Sequence, residues 1–180
     1  MRTRRLSLLP LLLLPAATAG CAAAINRPVA IADPRGAAVM AVVDSAMRYI
    51  NSGAVDSLSD LMIPEAQVFI ARETPADGGT MRVRTVAQQQ ATGRRAPIIE
   101  RGYAPTVRVS GTVASVWLPY DLWAEGKWSH CGVDHFTLVQ IGRGWRIVNL
   151  TYTIEQPPAC RMHPDGPPPG YAPPSAGTRQ

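Results

Sequence analysis

The sequence predicts one α+β domain, and three observations carry that prediction. Apolar residues recur at helical spacing only in the first part of residues 34–160. From residue 97 onward the chain is rich in Val, Ile, Thr and aromatics, cut by short turn signals. Both ends have compositions that cannot enter a packed core. Helices first and a strand meander after them imply a curved antiparallel sheet packed on N-terminal helices.

Each element follows from local chemistry. Asp33-Pro34 starts a helix, with Asp as cap and Pro at the first helical position. Val39, Val43, Ala46, Met47 and Ile50 then share one face, and Asn51-Ser52-Gly53 ends it. Asp56 caps a short second helix through Leu61, followed by Pro64. "AQVFIAR" (66–72) reads as a strand, "PADGGT" (75–80) as a turn and "MRVR" (81–84) as the returning strand. "TVAQQQAT" (85–92) is a modest helix ending at Gly93. Four strands follow: "IIERGY", "TVRVSGTVASVWLPYDLW", "WSHCGVDHFTLVQI" and "GWRIVNLTYTIE". Gly111 inside the second of these predicts a bulge or bend, and "AEGK" and "GRG" predict hairpin turns.

The ends address the compartment. Arg2, Arg4 and Arg5, a leucine run and then small residues form the three-part pattern of a signal peptide over 1–20. The apolar run is shorter than the roughly 20 residues a spanning helix needs. "TAGC" resembles the bacterial lipobox, which makes Cys21 a lipid-modified N-terminus. Thr18 stands where that motif usually has Leu, so ordinary cleavage after Ala19 is the alternative. On the lipobox reading the protein is held to a membrane by an anchor and does not span it. Residues 21–33 read as a tether, and 161–180, rich in Pro and Gly, as a disordered tail. The formal charge is +5 and three of those charges are the signal's arginines, leaving +2. A nucleic-acid partner is therefore not inferred. With Cys21 consumed by lipid in an oxidising compartment, Cys131 and Cys160 are left to form a disulfide.

The densest group of reactive side chains is "KWSHCGVDHF" (127–136). As a helix it would bring His130 and Asp134 within one turn, able to share a metal. Gly132 and the β-forming neighbours favour a strand, where those two positions lie roughly 13 Å apart. No metal site is therefore predicted, and no cofactor motif is visible. With hairpins at "AEGK" and "GRG", Trp123 should face Trp128, Asp121 face His130 and Trp117 face Asp134. Asp134 should in turn face Tyr152, and Phe136 face Leu150. One sheet face would then carry Trp117, Asp121, His130, Asp134, Phe136, Leu138, Val148, Leu150 and Tyr152. The other would carry Leu118, Tyr120, Cys131, Val133, His135, Val139 and Ile147. A one-residue slip would exchange the faces. On this reading Asp134 is the candidate general base, with Tyr152 and His130 assisting. Trp117, Asp121, Phe136 and Leu150 are the candidate ligand contacts, with Asp121 orienting His130. The plainer reading of the same residues is a set of satisfied structural pairs.

The stretch "VWLPYDLWAEGKWSHCGVDHFTLVQIGRGWRIVNLTYT" resembles a group of small bacterial proteins of the nuclear transport factor 2-like superfamily, described as lumazine-binding or polyketide-cyclase-like. The resemblance rests on Tyr120, Gly126-Lys127, Ser129 to Asp134, Gly144 to Ile147 and the late Cys160. It covers the last 45 residues of the domain specifically and the helical half in outline. Where that group commonly has a stretch like "DTRR" before the final Cys, this chain has "TYTIEQPPAC", so no role of those basic residues carries over. The resemblance implies a cone-shaped pocket between the concave sheet and the helices. It also implies three functions to weigh: a small-molecule binder without catalysis, an isomerase, cyclase or dehydratase using Asp134, or an interaction module. Homodimers are common in that superfamily. Lipidation is testable directly: Cys21→Ala should move the protein from the detergent-extracted membrane fraction to the soluble exported fraction. An unchanged distribution would remove the anchor.

Overall fold

The computed structural model describes residues 33–73, 78–156 and 158–171. The expected signal peptide, Cys21, the tether up to residue 32 and the last nine residues lie outside the described residues. Helix α1 (Pro34–Ser52) opens as its sequence dictates: the Asp33 side chain accepts the Arg35 N–H and Pro34 begins the first turn. Its Val39, Val43 and Ala46 are fully buried. Gly53 closes it at φ 67°, and a Cβ there would meet the Arg95 carbonyl oxygen at 2.1 Å, so two constraints select glycine. Helix α2 (Val55–Ser59) is short because strand β1 (Met62–Arg72) already begins at Met62. Pro64 sits inside β1, where pairing with the last strand is interrupted between Met62 and Gln67, so its missing N–H costs no ladder bond.

Strand β2 (Thr80–Thr85) returns antiparallel to β1. Helix α3 (Val86–Gln90) starts with a capping box between Thr85 and Gln88. Then come β3 (Ile99–Gly102), β4 (Thr106–Ser110), β5 (Val113–Ala124), β6 (Lys127–Ile141) and β7 (Gly144–Ile154). Gly111, expected to bend one long strand, instead turns a tight hairpin at φ 56°, with Ser110 paired to Val113. The sheet order is β2-β1-β7-β6-β5-β3, with β4 also on β5, and β1 runs parallel to β7. Pro119 lies mid-β5, and its carbonyl takes the Tyr103 N–H in the gap between β3 and β4. Its lost donor thus falls where no strand is paired. The sheet's inner face packs Val116, Phe136, Leu138 and Ile147 under α1, all fully buried. This is an α+β architecture with a curved seven-stranded sheet over N-terminal helices. Among the described residues no helix is long and apolar enough to cross a membrane.

Register departs from expectation at one point with large effect. Trp123 pairs with Trp128, but Leu122 pairs with His130, so Ser129 is the extra residue of a β-bulge. Beyond it Leu118 faces Asp134 and Asp121 faces Cys131, one position off the expected pairs. Trp117 and Asp121 therefore lie on the outer face, opposite Asp134, while Leu118 and Tyr120 turn inward. On the other side, a second bulge at Val148 leaves Asp134 opposite Tyr152 and Phe136 opposite Leu150, as expected.

The outer face is built around Asp121. Its carboxylate is fully buried and accepts from Arg101 Nε at 3.0 Å, Trp123 Nε1 at 3.0 Å and the His163 N–H at 3.1 Å. The Arg101 guanidinium reaches on to the Gly166 carbonyl at 2.7 Å. Tyr171 stands edge-on to Trp123, and Tyr103 does the same to His163. Cys131 and Cys160 are disulfide-bonded with Cα atoms 5.7 Å apart. Closing that loop stabilises by roughly 3–4 kcal/mol in the chain-entropy model. Residues 161–171, expected in a disordered tail, instead lie over this face. The reason is that their backbone groups pair with buried charge, which composition does not reveal.

Burial pushes the Asp121 carboxyl up, but the bonds from Arg101, Trp123 and His163 outweigh it and hold it below its usual value. With a depressed folded pKa, its stabilisation is present above about pH 4 and lost as pH falls through the folded value. Asp121→Ala leaves Arg101 unpaired and should cost about 3–5 kcal/mol in denaturant unfolding. A cost under about 1 kcal/mol would show the network to be idle.

Candidate ligand cavity

Between α1, α2, the segment after α3 and the inner sheet face lies a cavity of about 390 Å³. Ile50, Val55 and Leu58 form its helical wall, and Val68, Leu122 and Leu150 its sheet wall. Glu100, Tyr120, His130, Asp134 and Tyr152 line it together with Tyr49 and Gln89, with Arg95 at the rim. A mostly apolar enclosure of this size with a few convergent polar groups is the usual form of a small-molecule site.

Glu100 reaches the cavity because α1 holds β3. The Asn51 side chain accepts the Glu100 N–H and donates to its carbonyl at 2.9 Å, so it stands in for a neighbouring strand at this sheet edge. Asp134 comes from the middle of β6, between Leu118 and Tyr152. It is 2% exposed, and its Oδ2 has no hydrogen-bond partner among the described residues. Burial raises its pKa to about 7. Burial likewise raises Glu100 well above its usual value, and the Asp134 charge raises it further. Two carboxyls this close cannot both ionise cheaply, so near neutrality the pair holds a proton and titrates as a unit.

The neighbours are held neutral. Burial, assisted by the Arg72 charge, lowers His130 to about 4. Its Nδ1 lies 2.9 Å from Ser129 Oγ, and its ring stands edge-on to Tyr120. The Tyr120 hydroxyl donates to the Thr153 carbonyl at 2.6 Å and is therefore committed to the fold. Tyr152 is raised by burial, and no hydrogen bond occupies its hydroxyl among the described residues.

The structure brings together Asp134, His130, Tyr152 and Leu150 of the residues singled out from sequence. It does not bring the other three. Trp117 is 52% exposed and rests on His135 across the outer face. Asp121 is spent on Arg101, so the expected Asp121–His130 dyad does not form. Phe136 is buried in the core beneath the cavity and forms none of its wall. Sequence reasoning missed Glu100 and Arg95. A lone Glu between Ile99 and Arg101 carries no mark of its inward aim, and the loop arginine carries no periodic signal at all. Among the described residues no group of three or more His, Cys, Asp or Glu could hold a metal.

No protein-family model and no curated protein matches the chain. Solved structures do. A nuclear transport factor 2-like protein from Cytophaga hutchinsonii matches with TM-score 0.55 at 12% identity, covering 68% of this chain and 98% of that one. A nuclear transport factor 2-like protein with a cystatin-like fold from Novosphingobium aromaticivorans matches with TM-score 0.52 at 15% identity, covering 66% and 80%. A third, from the same organism, is described as the beta subunit of an aromatic-ring-hydroxylating dioxygenase. It matches with TM-score 0.58 at 8% identity, covering 71% and 93%. These likenesses define the class: the chain has the nuclear transport factor 2-like fold. That fold carries unrelated roles, so function has to come from the cavity.

The buried carboxyl pair has a thermodynamic signature. Asp134's folded pKa lies above its unfolded value, so its favourable term is complete below about pH 4 and fades as pH rises to about 7. Asp134→Asn should reduce the loss of stability across that interval and leave the variant at least as stable as the parent at pH 8. A variant whose pH profile parallels the parent's would show that Asp134 is ionised in the fold.

Proposed function

We propose that this is an exported protein whose domain binds one small, largely apolar molecule, with Glu100 and Asp134 meeting a polar atom of that molecule. The observation that carries the reading is the buried Asp134–Glu100 carboxyl pair at the wall of an apolar cavity, where Asp134 has no partner other than Glu100 among the described residues. One shared proton leaves further acceptor positions in the pair, and a buried acceptor left unpaired costs about 1–3 kcal/mol, which a ligand donor would recover. A pair that shares a proton can also offer a hydrogen as well as accept one. Export rests on the N-terminal pattern, and attachment through Cys21 on the lipobox-like "TAGC".

The same pair supports a second reading, an enzyme of the isomerase, cyclase or dehydratase type. An acid with a pKa of about 7 is well matched to proton transfer near neutrality, and Tyr152 has a free hydroxyl beside it. Binding alone is the better supported of the two, because Tyr120 is committed to the Thr153 carbonyl and burial holds His130 neutral.

The neutral fluorophore N-phenyl-1-naphthylamine tests the cavity. It should bind the purified protein at one site, with Kd on the order of micromolar. Ile98→Trp, which adds bulk to the cavity lining, should weaken it about tenfold or more. Absence of saturable binding to the folded parent would sink the reading. If a turnover assay finds a substrate, Asp134→Asn should slow it about 10²–10⁴-fold on the enzyme reading.

A further inference from the structure

The cavity shares Arg95, Tyr152 and Ile154 with a groove at one edge of the sheet, and that groove is cationic. Ladder pairing sets Asp134, Tyr152, Ile70 and Arg82 in one row across β6, β7, β1 and β2. The next row runs Leu150, Val68, Arg84, and the row on the other side runs Ile154, Arg72, Thr80. Arg72, Arg82 and Arg84 thus share the inner face with the cavity's sheet wall. Arg95 faces them from the segment after α3, its guanidinium steadied by Gln89 Oε1 at 3.2 Å and Thr92 Oγ1 at 3.3 Å. A groove lined by these four arginines continues from the cavity through Tyr152 and Ile154, which line both.

The four cations have no partner of opposite charge within 4.0 Å among the described residues, where the ion pairs are Arg35–Asp33, Arg101–Asp121 and His163–Asp165. Glu73 and Glu155 stand with Arg72 along a different groove. The arginines are near enough to act on the interior: Arg72 depresses His130, and Arg95 and Arg84 oppose the effect of burial on Tyr152. Four like charges gathered at one opening repel one another, and a bound anion relieves that.

We infer that the ligand is amphipathic, its apolar body in the cavity and an anionic oxygen group, a carboxylate, phosphate or sulfonate, held at the mouth by Arg72, Arg82, Arg84 and Arg95. This rests on the binding reading above and adds the chemical class of the ligand. The forked guanidinium suits such groups because it pairs two oxygens at once. The alternative is that these arginines only keep an edge strand from pairing with another chain.

A matched pair of fluorophores separates the two. 8-Anilinonaphthalene-1-sulfonate has nearly the aryl body of N-phenyl-1-naphthylamine with a sulfonate added. The full-length processed protein should bind the sulfonate about tenfold more tightly than the neutral dye, and Arg82→Glu/Arg84→Glu should abolish that preference. In the unaltered protein, raising salt from about 0.05 M to about 0.5 M should weaken the sulfonate and spare the neutral dye. Equal affinities, or a preference indifferent to salt and to the substitutions, would overturn the anionic-ligand inference while leaving the cavity intact. Binding of neither dye would overturn both.

Discussion

Between β5 and β6 the ladder passes from Trp123–Trp128 to Leu122–His130 and leaves Ser129 unpaired. Side chains alternate across a strand, so one unpaired residue exchanges the faces of everything beyond it. Without that bulge Asp121 would point into the cavity beside His130, and Tyr120 would point away. With it, Asp121 meets Arg101 outside while Leu118, Tyr120 and Leu122 line or underlie the interior. The composition of the cavity and the anchoring of residues 158–171 both follow from this one offset.

The two buried aspartates then show how environment decides charge. Asp121 is as inaccessible as Asp134, yet the Arg101 guanidinium and the N–H donors of Trp123 and His163 stabilise its ionised form. Asp134 has an apolar surround and a second carboxyl, which favour its protonated form. The first arrangement holds structure together; the second keeps a proton and an open acceptor at the wall of a cavity. Two residues of one type, thirteen positions apart, therefore do opposite work.

Much of this was legible in the sequence. The helix boundaries at Asp33 and Gly53, the meander of long strands and the pairings Asp134–Tyr152 and Phe136–Leu150 follow from capping, alternation and turn residues. The Cys131–Cys160 disulfide agrees with the pairing expected from the cysteine count together with the expected export. What was not legible depends on single-residue irregularities and on contacts far apart in the chain. The Ser129 bulge has no composition of its own, since Ser is unremarkable in a strand, and it alone misassigned Trp117 and Asp121. Glu100 needed the Asn51 bond to bring β3 into place, a pairing across 49 positions. The 161–171 segment looked like a tail because Pro and Gly dominate it; its order comes from backbone groups answering Asp121 and Arg101.

The clasp of Asn51 on β3 has a consequence at the level of assembly. Sheets with bare ends recruit strands from other chains, since each free edge offers unpaired N–H and C=O groups. Here one end is sealed: Asn51 occupies both backbone groups of Glu100, and α1 runs against β3 and β4. The other end is the short strand β2, studded with Arg82 and Arg84. Charged side chains on a short edge strand disfavour its pairing with another chain, so the arginines proposed to hold a ligand's anionic group would guard this edge as well.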